Sequence, residues 1–464
     1  MGVAYGGGGD FFCWQFSASC CIKFLRCLKS GSFVSGSADK ARLMRGRSRV
    51  SRPACGAIPN PRCCFGLEVS MRKMFILLVF LGLLVFACPL QAQQVCPGLP
   101  YVANTPEDEL MQAVNGADKP EEQVAALDKY AQEHADSKFM PCVDEYYTMT
   151  YLKLNNYDKV VEYGEKGLAS NYKDAMLMLN VLKGYVGSGK VADSAFDIIN
   201  QAPDVIKAES KPAKPSNVSD AEWQKALEEN AAQAKDELAY VVYAFLQLVP
   251  RVSDPNKRIE RLDGFAKTFP EDVEKNAAQI NFDYFIASKM ANKPDKAMEY
   301  GEKTIAADPN NLVAHNLLAY DYAIGRTNPD KAADYAKKAI ELAQQMKKPE
   351  GLSDAQFKQE QDNQLGMAHL SLGYATFTRA VAAKIKKLGP AIDELKTAAD
   401  LLGANPELQG QALYYLGYAY ESGYPANHRG AIEALDKAAG LQCSWRAPAD
   451  ELLAKVKKAA NEEE

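Results

Sequence analysis

Small residues and tyrosines recur at fixed offsets along segments of roughly 12–16 residues from position 105 onward, with short breaks between segments. These segments are rich in Ala, Leu, Lys and Glu and poor in consecutive β-branched residues, a composition that favours helix. No stretch alternates apolar and polar residues with the period of two that a half-buried strand requires. The pattern therefore predicts an all-α chain. It also has a longer period: Tyr151 and Tyr185 stand 34 positions apart, as do Asn155 in LNNYDK and Gly189 in GSGKVADS, both at expected turns between two helices. A helix pair of that length cannot cover its own apolar face, so each pair is stabilised by stacking on the next.

The segments fit one family residue by residue. LLAYDYA (317–323) leads to DKAADYAKKAI (330–340), with small Ala319 and Ala332 where two helices would cross closely. SLGYATF (371–377) leads to GPAIDELKTAA (389–399), and YLGYAYESG (415–423) leads to GAIEALDKAA (430–439). AADPNN (306–311) reads as a proline-containing exit from a second helix. This arrangement resembles the tetratricopeptide repeat over roughly residues 105 to 440. It departs from that pattern in lacking the tryptophan of the first helix. The resemblance implies a right-handed superhelical solenoid of antiparallel helix pairs, here spanning 93–440, with 441–464 as a capping helix and acidic tail.

A larger unit is written twice. DKVVEYGEK (158–166) and DKAMEYGEK (295–303) share seven of nine residues at a separation of 137, close to four repeat periods. NVSDAEW (217–223) and GLSDAQF (351–357) place Ser219 and Ser353 134 positions apart, each after a Pro- and Lys-containing break. Each serine has a Glu or Gln three residues on (Glu222, Gln356), the signature of a capping box. We read a duplicated four-unit block, about 141–275 and 278–412.

The N-terminus has a different character. Met71 to Ala92 reads MRKMFILLVFLGLLVFACPLQA, with Arg72 and Lys73 ahead of an apolar run from Met74 to Cys88. That is the layout of a signal peptide. A run of about fifteen residues falls short of the roughly 20 that a membrane span needs, which favours cleavage over anchoring. Cys88 after Ala87 leaves a lipidated form open, although Phe86 suits it poorly. Residues 1–70 hold GGGG, scattered Arg and seven of the eleven cysteines. They read as a spurious or disordered extension, with translation starting at Met71 or Met74.

Without residues 1–92 the charge changes. They hold 12 of the 54 Lys and Arg and 3 of the 59 Asp and Glu, so the remainder carries 42 basic and 56 acidic residues, near −14. So acidic a surface argues against nucleic acid. Export permits a disulfide between Cys96 and Cys142.

Catalytic chemistry is not indicated. Gly184 to Lys190 has the spacing of a phosphate-binding loop, but Val191 follows where Ser or Thr would hold magnesium, and no strand precedes it. The four histidines (134, 315, 369, 428) lack metal-ligand spacing, and no cofactor is implied.

The expectation is a non-enzymatic scaffold of an exported bacterial type, periplasmic, secreted or on the cell surface, that binds a protein or peptide. The alternative is a structural or assembly component of the outer envelope, lipid-anchored through Cys88. In the tetratricopeptide family the residue after the small position of the first helix faces the concave surface. Here that residue is Tyr320, Tyr374 or Tyr418, while the earlier units carry Met149, Lys183 and Ile286; Asn316 and Tyr414 lie on the same helical faces. The resemblance implies a tyrosine-lined peptide groove. Tyrosines that only fill gaps between helices are the competing reading.

Overall fold

The computed structural model describes residues 102–170 and 174–463. The expected extension (1–70) and signal segment (71–92), with Cys88 and Cys96, lie outside the described residues.

Eighteen α-helices and no strand occur among the described residues. The first pairs are α1 (Pro106–Gly116) with α2 (Pro120–Glu133), α3 (Met140–Lys153) with α4 (Tyr157–Ala169), and α5 (Ala175–Ser188) with α6 (Asp193–Glu209). A long helix, α7 (Asp220–Leu248), leads to α8 (Pro255–Thr268) and the short α9 (Pro270–Lys275). Then come α10 (Ala277–Met290) with α11 (Pro294–Ala307) and α12 (Leu312–Ile324) with α13 (Pro329–Gln344). A second long helix, α14 (Asp354–Ala382), precedes α15 (Gly389–Leu401). The series closes with α16 (Pro406–Ser422), α17 (His428–Gly440) and α18 (Arg446–Glu463). Helices pack chiefly on their sequence neighbours, which makes a tetratricopeptide-like solenoid.

Local sequence explains these boundaries. Many helices open on proline in the first turn, where its missing N–H costs nothing. Five of the turns inside the pairs place one residue at positive φ: Asn155 (55°), Gly189 (73°), Asn292 (53°), Arg326 (54°) and Lys384 (57°). Gly and Asn enter that region readily. Gly184 to Lys190 is accordingly the end of α5 and its left-handed cap at Gly189, with no strand before it.

The structure repeats its own contacts. α7 and α14 are each 29 residues long, and both start on a complete capping box, Ser219 with Glu222 and Ser353 with Gln356. Lys214 pairs with Asp220 and Lys348 with Asp354 ahead of them. Tyr147 stacks on Tyr163 with ring centroids 4.2 Å apart, and Tyr284 on Tyr300 at 4.3 Å. The Tyr185 hydroxyl donates to Glu165, and that of Tyr322 to Glu302 at 2.6 Å. Helix crossings repeat as well. A Cβ added at Gly164 would lie 2.2 Å from Val181 Cγ2, and one at Gly301 2.8 Å from Leu318 Cδ2. Only glycine allows so close an approach.

The apolar interior falls into three clusters along the chain. One joins α1 to α3, the second runs from α4 to α10, and the third from α10 to α18. Cys142 is buried in the first and is disulfide-bonded. At the far end α18 buries Ala449, Leu453 and Val456 and leaves its other faces to solvent. No helix among the described residues is long and apolar enough to cross a membrane.

Candidate functional site

The first helices of three successive pairs, α12, α14 and α16, lie side by side. Their facing side chains build an aromatic and polar cluster. Tyr374 on α14 stacks on Tyr415 of α16 with centroids 4.1 Å apart at 25°. Tyr414 meets Tyr415 edge-on at 5.5 Å and Trp445 at 5.2 Å. Tyr418 stands edge-on to Phe377 at 5.5 Å. Offset and edge-to-face arrangements of this kind are the favoured geometries of aromatic pairs.

Polar links tie the cluster together across the helices. The Tyr320 hydroxyl donates to Gln411 Oε1 at 2.9 Å, joining α12 to α16. Arg326 Nε donates to the Tyr374 hydroxyl at 2.7 Å, with the guanidinium 5.6 Å from that ring. Asn316 Nδ2 donates to Gln364 at both its carbonyl (3.1 Å) and its Oε1 (2.8 Å). Burial pushes the Tyr415 hydroxyl up to about 12 and raises Tyr320, which Gln411 partly offsets. These phenols stay neutral, so the site offers hydrogen bonds and π-faces rather than charge. Arg326 is the exception.

The five residues expected to line a groove are thus neighbours, but they are not equally available. Tyr418 is exposed, Tyr320 and Tyr414 are half-buried, and Asn316 and Tyr374 are buried. Tyr374 is roofed by Tyr415 and Arg326, and Asn316 spends its amide on Gln364. Arg326, Gln411, Tyr415 and Trp445 escaped the sequence reading. The only hint in sequence was an Arg at a turn position that holds Asn or Gly in the three preceding cases.

The corresponding surface of the first block carries different chemistry. Lys183, the counterpart of Tyr320, lies 5.9 Å from the Tyr240 ring and donates to Asn180 Oδ1 at 3.0 Å. Burial lowers its pKa, with Glu237 opposing. Tyr240 is the counterpart of Tyr374, but Gly189 stands where Arg326 would be. A polar cavity of about 440 Å³ is lined by Asn200 and Arg261 of that block, among others, and by Lys293 of the next. No three His, Cys, Asp or Glu side chains converge as metal ligands among the described residues.

These features define a helical-repeat solenoid with a partly open aromatic cluster. No family model and no curated protein matches the chain. Among solved structures it is similar to the yeast Tom70, at 14% identity over 77% of this chain and 96% of that one, with a TM-score of 0.25. It is also similar to the APC/C hetero-tetramer Cut9-Hcn1, at 13% identity over 84% of this chain and 88% of that one, with a TM-score of 0.24. At these scores the likeness is distant, and the chain's own geometry carries the functional reading.

Proposed function

We propose that the chain is a non-enzymatic scaffold that holds a protein or peptide partner on the aligned faces of α12, α14 and α16. The observation that carries this is the gradation within the aromatic cluster. Tyr374 and Tyr415 form a rigid floor, while Tyr414 and Tyr418 present ring surface to solvent. Rigid aromatic rings backed by packed neighbours are the residue type that dominates binding hot spots. Arg326 adds a cation beside them, and no ion pair engages it among the described residues. The disulfide at Cys142 supports an exported, oxidising location, as does the apolar segment at 71–92.

The test separates binding from folding. Tyr418→Ala with Tyr414→Ala removes exposed ring surface and should leave the melting temperature near that of the parent. Partner recovered by crosslinking from envelope extract should fall about tenfold or more, as loss of hot-spot residues does. Tyr374→Ala removes a floor residue and should instead melt early. Undiminished partner recovery with the Tyr414/Tyr418 variant overturns the assignment.

A further inference from the structure

The end of α14 and the turn after it, Val381 to Lys387, read VAAKIKK, and every position is exposed. Val381 and Ile385 are each 52% exposed. The next turn of the series lies against this one: the Tyr424 amide donates to the Lys386 carbonyl at 3.1 Å, and Tyr424 itself is 79% exposed. Tyr418 completes the group, because it packs on Phe377, one helical turn before Val381. Four of the seven large hydrophobic residues left exposed among the described residues therefore collect at two adjoining turns and the helix ends that lead into them.

The duplicated block supplies an internal comparison. The equivalent turn after α7, at the same length, reads VPRVSD (249–254). There Val249 is fully buried, and Asp254 caps α8 by accepting from the amides of Asn256 and Lys257. In the second copy Ile385 and the lysines replace that sequence, and α15 has no side-chain cap. The first turn thus seats Val249 inside and caps α8 through Asp254, whereas the second exposes Ile385 and three lysines and leaves α15 without a side-chain cap. Its lysines also differ from others near the turns. Lys190 is paired with Asp158, Lys257 with Asp193 and Lys331 with Glu302. Lys384, Lys386 and Lys387 make no ion pair among the described residues.

We infer that this tip binds an anionic lipid surface. Aliphatic and tyrosine side chains suit the boundary between headgroups and acyl chains, while adjacent lysines meet anionic headgroups. An otherwise acidic chain approaches such a surface favourably only through a patch of this kind. Ile385 and Tyr424 lie in the turns themselves and Val381 in the last turn of α14, a placement at helix ends that suits a flat occupant better than an extended peptide. Tyr418 is shared with the aromatic cluster, but Val381, Ile385, Tyr424 and the three lysines lie outside it, so the inference does not depend on which protein that cluster holds.

Hydrogen exchange of the full chain, with neutral phosphatidylcholine vesicles and with vesicles containing phosphatidylglycerol, tests it locally. Exchange across 383–388 and 423–427 should slow with the anionic vesicles alone. The K384E/K386E/K387E variant should lose that protection and partition onto anionic vesicles about tenfold less or weaker still. V381S/I385S should weaken binding without changing its salt dependence, and circular dichroism should show both variants folded. Absent protection, or equal protection by neutral vesicles, overturns the inference. Protection of the same turns by an acidic Leu- and Tyr-rich peptide, with none from vesicles, overturns it in favour of a protein partner.

Discussion

At the scale of single residues, Asp144 shows how the packing of helix pairs sets chemistry. It sits half-buried on α3, and desolvation pushes its carboxyl up to about 6, with Lys166 pulling the other way. The folded chain therefore retains a proton that the unfolded chain has released. The stability this provides is full below the unfolded value near 3.8 and is lost as pH rises through about 6. Asp144→Asn should stabilise the protein at pH 8 by about 1 kcal/mol, a figure already reduced for solvent screening. Melting curves at pH 5 and pH 8 check this, and the gain must shrink at the lower pH. The aromatic cluster shows what residue-level reading reaches. The tyrosines were legible because Tyr320, Tyr374 and Tyr418 each follow the small residue of a first helix. Their availability was not. Tyr374 is covered by Tyr415 and Arg326, and that cover depends on neighbours some forty or more positions away.

At the scale of elements, the chain was legible wherever a local interaction decides the outcome. Ser219 and Ser353 each accept from the amide three residues on, while Glu222 and Gln356 reach back to the serine amide. Such boxes need only four residues of sequence. So does the left-handed turn at Asn155. The register between helices is set differently, by side chains from distinct elements: Gly164 admits Val181, and Gly301 admits Leu318. The short α9 and the loss of the cap at α15 have no comparable local signature. If the boxes fix where α7 and α14 begin, Ser219→Ala and Ser353→Ala should each cost about 1 kcal/mol. Denaturant midpoints measure this with the slope held constant, and two unchanged midpoints would contradict it. The loss should be similar in the two copies, because the cap geometry and the preceding Lys–Asp pair are the same.

At the scale of the whole described chain, the two larger apolar clusters meet on one helix. On α10, Ile280, Tyr284 and Ala287 belong to the cluster shared with α4 to α8, whereas Phe285 belongs to the one that continues to α18. The same helix carries Asp283, which forms an ion pair with Arg258 of α8, both almost fully buried. Burial raises the Asp283 pKa against the pull of Arg258, and Asp283 Oδ2 and Arg258 Nε find no hydrogen-bond partner. A pair desolvated this far contributes little net stability while intact. Removing one partner is expensive, because the other charge is stranded. Asp283→Ala should therefore cost about 3–5 kcal/mol, whereas Arg258→Met with Asp283→Leu should be near neutral or stabilising. Stability in stacked repeats is carried by neighbouring interfaces, so the loss should fall first on the helices before α10. Thermal unfolding of Asp283→Ala should split into two steps, with hydrogen exchange opening α5 to α8 in the earlier one. A single transition merely shifted to lower temperature would show instead that α10 couples the two clusters into one cooperative unit.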